Sequence, residues 1–168
     1  MKEPRVFKGT QASRSRARFK DTEREIAKCL TDTFTTSETH PSPVFRIPIL
    51  GRTGPDITIN ETNMVIDVKS RKVIPDYMFA PANTAIYVGD FVGFRLEDLM
   101  NINRFGSSEI KTMSNVVLKW WNHMDEWTQK FHPGITTIIL HRSRMPIGHA
   151  TVIIHSKDRS ELCKQLFN

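Results

Sequence analysis

The chain has 168 residues, 39% apolar and 25% charged, which excludes a collagen-like or natively unfolded polymer and suffices for one folded domain with its own core. No apolar run approaches the roughly 18 residues that span a bilayer, and the two cysteines, Cys29 and Cys163, are too few and too far apart for a disulfide framework or a thiolate zinc site. The net charge of +6 is unevenly placed: residues 1–20 hold seven Lys/Arg and one Glu, whereas residues 21–168 hold 17 of each sign.

Residues 1–20 therefore form a basic arm ahead of one neutral domain, residues 21–168. Arg14, Arg16, Arg18 and Lys20 stand among Gly, Ser and Thr, a pattern that seeks phosphate. The arm lacks the apolar stretch of a secretory signal, so no export is expected. Residues 21–33 read as a helix capped by Asp21 or Thr22, with Phe19, Ile26 and Leu30 on its inner stripe. Glu23 falls on that stripe and Glu25 off it. A buried acid wants a partner.

Short strands are expected at 44–49, 56–60 and 64–69, the last two joined as a hairpin by Glu61-Thr62-Asn63. Residues 73–108 read as an irregular insert with a short helix near Arg95–Met100. Residues 109–131 read as the strongest helix. Its apolar stripe of Met113, Val117, Trp120, Met124, Trp127 and Phe131 is taken as core-facing. Within it Glu109-Ile110-Lys111 repeats the acid-x-Lys pattern of β-strand 64–69, at what reads as an ordinary helix start. Strands at 135–141 and 150–155 flank a basic loop carrying Arg142 and Arg144, and a helix closes the chain. The fold class expected is α/β, a central mixed sheet of about five strands flanked by helices.

The chemistry concentrates in residues 51–72. Asp67 and Lys69 lie on one face of a strand that otherwise reads Met-Val-Ile-x-Val. Asp56 opens the strand before it. Pairing the two strands brings Asp56 and Asp67 together at the open end of the hairpin, and Glu23 adds a third carboxylate. Carboxylates beside one ammonium suit a hard cation that polarises a phosphoryl oxygen, with the lysine neutralising transition-state charge.

These residues resemble the signature of the PD-(D/E)xK nuclease superfamily, and within it the archaeal-type Holliday junction resolvases and related phage endonucleases. The motifs are Lys8-Gly9 in the arm, Glu23-Arg24 on the first helix, the Gly51-Arg52-Thr53-Gly54 loop, Pro55-Asp56, and Asp67-Val68-Lys69-Ser70-Arg71-Lys72. The resemblance implies a restriction-endonuclease-like core and Mg²⁺-dependent cleavage of DNA, Mn²⁺ substituting, to leave 5′-phosphates. Glu23, Asp56 and Asp67 would be metal ligands with the Val68 carbonyl, and Lys69 the catalytic lysine. Arg52 and Thr53 would contact the scissile region, and Arg71 and Lys72 flanking phosphates. Together with Arg14, Arg16, Arg18, Lys20, Arg142 and Arg144 they make the expected DNA-binding set. The expected partner is branched DNA, the assembly a homodimer without membrane, and the compartment the cytoplasm, or the host's for a viral protein. Two readings stand beside the resolvase: another nuclease on the same core, of nicking, repair or restriction type, and a non-catalytic DNA-binding module.

Overall fold

The computed structural model describes residues 21–32, 44–46, 56–59, 63–102, 106–110, 112–131 and 133–167. The basic arm and the Arg52–Thr53 loop lie outside the described residues. Residues 21–32 form helix α1. Strands β1 (Val44–Arg46), β2 (Ile57–Ile59) and β3 (Met64–Ser70) follow as an antiparallel meander. Asn63, with φ of 50°, turns the chain from β2 into β3, a left-handed position that Asn tolerates better than most residues.

The segment expected to be irregular is instead sheet. It contributes β4 (Thr84–Val88), β5 (Phe91–Arg95) and β6 (Gly106–Ile110), with a 3₁₀ turn at Asp76–Met78 and another at Leu96–Asn101. Gly89, at φ 58°, supplies the positive φ for the two-residue turn joining β4 to β5. Helix α2 spans Asn115–Phe131, later than the expected start at 109, and Glu109 and Ile110 belong instead to β6. Strands β7 (Ile135–His141) and β8 (Thr151–His155) and helix α3 (Arg159–Phe167) complete the chain.

The sheet is mixed, as expected, but has eight strands in the order β1-β2-β3-β7-β8-β5-β4-β6. The β3–β7 and β4–β6 pairs are parallel and the others antiparallel. β7 is buried along its whole length, which its near-continuous apolar sequence permits. Each face of the sheet has its own core. On one, Ile26 and Leu30 of α1 and Leu162 and Leu166 of α3 pack on Ile57, Ile66, Val68, Ile139 and Val152. On the other, Val117, Trp121 and Met124 of α2, with Ile74, Met78 and Ala80, pack on Ile138, Leu140 and Ile153.

Helix α2 is rotated from the orientation its sequence suggests. Val117 and Met124 are buried as expected, but their companions are Trp121 and Thr128. Phe131 is exposed, and Trp120 and Trp127 are half-buried. Thr128 is acceptable in the core because its hydroxyl donates to the Met124 carbonyl at 2.8 Å, and the Trp121 indole N–H donates to the Thr136 carbonyl at 3.4 Å.

Candidate metal and nucleic-acid site

The β2–β3 ladder runs from Ile59↔Met64 to Ile57↔Ile66. One step beyond it stand Asp56 and Asp67, leaving the hairpin's open end together. Their backbones and side chains interlock. The Asp56 amide donates to the Ile66 carbonyl at 2.8 Å, and the Val68 amide donates to Asp56 Oδ2, also at 2.8 Å. In an extended strand the N–H and C=O of one residue point to the same edge. The Val68 carbonyl is therefore on the side of Asp56 as well.

Asp56 and Asp67 are both 7% exposed. Burial is the first cause that pushes the Asp56 carboxyl up, to about 8; a side-chain hydrogen bond with Asp67 and the Asp67 charge add to it, and the Val68 amide opposes them. Each carboxylate oxygen accepts and neither donates while both are ionised, so the nearness of Asp67 favours the neutral form of Asp56. Lys69 Nζ lies 3.2 Å from Asp67 Oδ2, with its ammonium 5.7 Å from the centroid of the Trp120 ring. That is within cation–π range.

Glu23 is 1% exposed on the inner stripe of α1 and Glu25 is exposed, as the spacing of the helix predicts. The Glu23 charge is the weakest of the causes that raise Asp56. Among the described residues no three His, Cys, Asp or Glu side chains are gathered as ready metal ligands. What the fold assembles is thus the Asp56–Asp67 pair and the Val68 carbonyl, with Glu23 close enough for its charge to add to the rise at Asp56. This pair fits a hard divalent cation. Burial and the charge of Asp67 both disfavour an ionised Asp56, and Mg²⁺ characteristically takes one or two carboxylates while keeping water.

The cations divide into two groups. Arg71, Lys72 and Arg144 are exposed, Arg144 in a turn with φ of 67°. Arg142, expected to contact DNA, is engaged within the protein: its guanidinium pairs with Asp76, donates to the Ile74 carbonyl and lies 4.6 Å above the Phe79 ring. It ties the segment after β3 to the end of β7. The second acid-x-Lys, at Glu109, sits in edge strand β6, with four strands between it and β3. At about 4.8 Å per strand that is roughly 24 Å away.

Trp120 is the site residue that the sequence does not reveal. Its place in an apolar stripe reads as core, whereas the rotation of α2 sets it over Lys69. His141, at the end of β7 in register with Ser70, has its Nδ1 3.4 Å from Ser70 Oγ and its Nε2 2.9 Å from the Met145 carbonyl.

No protein-family model, curated protein or solved structure matches this chain. The functional reading therefore rests on the geometry and on the motif. Among the described residues no helix is long and apolar enough to cross a membrane.

Proposed function

We propose that this protein is a Mg²⁺-dependent, structure-selective DNA endonuclease whose substrate is a Holliday junction, acting as a homodimer in the cytoplasm, the host's if the protein is viral. The observation that carries the reading is the buried Asp56–Asp67 pair at the open end of a hairpin, with Lys69 3.2 Å from Asp67. A structural ion pair needs one acid. The second carboxylate raises the electrostatic cost of the site and calls for a divalent counter-charge.

When bound, Mg²⁺ polarises the phosphoryl oxygen and lowers the pKa of a coordinated water. Asp56, Asp67 and the Val68 carbonyl are the groups that would hold it, Mn²⁺ serving in its place. Lys69 supplies a positive charge where negative charge builds on the phosphoryl oxygens during hydrolysis. The Trp120 ring and the Asp67 carboxylate restrict where that ammonium can lie. Arg71 and Lys72, just beyond β3, and Arg144 are placed to take flanking phosphates, which position the duplex without reading its sequence. The same role is proposed for Arg14, Arg16, Arg18, Lys20, Arg52 and Thr53. Glu23 acts through the charge it places near Asp56. A two-fold dimer sets two such sites on opposed strands of a junction.

The test compares a labelled four-way junction with a linear duplex of the same sequence, using the wild type and Asp67→Ala, in Mg²⁺ or in chelator. Paired symmetric cuts in the junction alone, requiring both Mg²⁺ and Asp67, are expected. Cutting of both DNAs retains the nuclease and removes the junction preference. Tight binding without cleavage in any metal assigns the chain as a DNA-binding module and overturns the catalytic reading.

A further inference from the structure

Among the described residues four large apolar side chains are exposed: Val73 at 64%, Tyr77 at 42%, Phe131 and Phe167. Two of the four stand within seven residues of the end of β3. Exposed apolar groups at isolated positions are ordinary. Val73 and Tyr77 differ because the backbone that presents them is fixed. Between them Ile74 is buried, and after them Met78 and Ala80 are buried in the core on the α2 face of the sheet. Arg142 pairs with Asp76, donates to the Ile74 carbonyl and stacks on Phe79. The Ala80 amide donates to Thr151 Oγ1 at 2.9 Å, and Arg95 Nε donates to the Ala80 carbonyl at 3.0 Å.

The segment is therefore a braced turn on the same sheet face as Asp67, Lys69 and Trp120. Arg71 and Lys72 precede it, both exposed. The one exposed acid within it, Asp76, is neutralised by Arg142. A rigid aromatic and a methyl-bearing side chain flanked by cations match a base with its phosphates: the ring faces the base and the cations hold the strand. In continuous duplex DNA base faces are covered by their neighbours. They become available where strands part.

We infer that the Tyr77 ring stacks on a base exposed at a DNA branch point, with Val73 on the same braced turn adding apolar surface, and so provides the structure selectivity of the site. This rests on the nuclease reading above. Stacking of one base is worth enough that its loss weakens binding by about tenfold.

The experiment uses the full chain in chelator, a four-way junction carrying 2-aminopurine at the branch, and the matching linear duplex. Wild type is expected to bind the junction more tightly and quench the 2-aminopurine. The double variant Val73→Ser, Tyr77→Ala is expected to bind the junction about tenfold more weakly and to lose the quench. Tyr77→Phe should retain both, since the ring does the stacking. Phe131→Ala, which removes an exposed aromatic at the opposite end of the sheet, should change neither. Undiminished junction affinity and quench in the double variant overturn the platform while leaving the nuclease intact. Loss of self-association by that variant in sedimentation overturns it in favour of a subunit contact. Failure of the wild type to bind either DNA overturns the nuclease reading and the platform together.

Discussion

Replacing Asp56 by Asn tests the site through stability alone, without reference to activity. The Asp56 carboxyl is raised from 3.8 to about 8, by burial first and by Asp67 second. Between those values the folded protein holds a proton that the unfolded chain has released. Stability therefore falls as pH rises through this window, and the loss is complete above about 8. Two pH units within the window, from 6 to 8, correspond to about 3 kcal/mol. For a chain of this length that is roughly 6–12 °C in Tm. Asn keeps an oxygen to accept the Val68 amide and cannot ionise, so its variant lacks this loss. Melting in chelator at pH 6 and pH 9 should show the wild type losing several degrees more than Asp56→Asn, because other titrating groups are common to both. Mg²⁺ added at pH 9 should then raise the wild-type Tm, by about 2.7 kcal/mol of stability at a hundredfold excess over Kd, and leave the variant unmoved. A parallel fall of the two proteins between pH 6 and 9, or an Asn variant less stable than wild type at pH 9, refutes the raised Asp56 carboxyl.

Two further outcomes follow from the same geometry. Lys69→Met keeps an unbranched stem beside Trp120 and removes the ammonium 3.2 Å from Asp67; cleavage should fall by roughly 10²-fold or more with the Mg²⁺-induced Tm shift preserved, as gel-based cleavage and melting would show. Arg142→Ala removes the pair with Asp76, the bond to the Ile74 carbonyl and the stack on Phe79; a cost of about 2–4 kcal/mol is expected by denaturant titration, whereas a residue serving DNA alone would leave stability unchanged.

The parts of the fold that were legible in the sequence are those with one dominant period. The β2–β3 hairpin, β7 and β8 are short runs of largely apolar residues bounded by turn residues, α3 carries Leu162 and Leu166 one turn apart, and the structure places all of them within two residues or so of expectation. That Asp56 and Asp67 lie close was legible because a short hairpin connection leaves little freedom of register; the expected three-residue connection would have set Asp56 opposite Val68, whereas the ladder that forms closes at Ile59↔Met64, with four residues between, and sets it opposite Asp67. What was not legible depends on partners far along the chain. β4, β5 and β6 are five residues each and lack clean alternation, since β4 and β5 are buried on both faces for most of their length. Helix α2 carries apolar residues on two adjacent stripes, so its sequence permits two orientations. Packing selected the one that buries Trp121 and turns Trp120 to Lys69. The Arg142 clamp joins residues 66 and 68 positions apart, which no local pattern records.

The position of the charges within β3 is itself an argument. Burial is complete from Met64 to Val68 and falls to half at Lys69 and Ser70. The fold thus carries an acid at the last fully buried pair of positions and a lysine at the first half-buried one. A purely structural account explains Lys69 with Asp67, and it explains an oxygen at position 56 to accept the Val68 amide. It does not explain why that oxygen belongs to a carboxylate. An amide would accept the same hydrogen bond, could donate to Asp67, and would escape both the burial of a charge and the repulsion from Asp67 that together push Asp56 up to about 8. Sites where local stability is given up without a structural return are where function is expected. In this chain that site is Asp56, and the return we propose is a divalent cation.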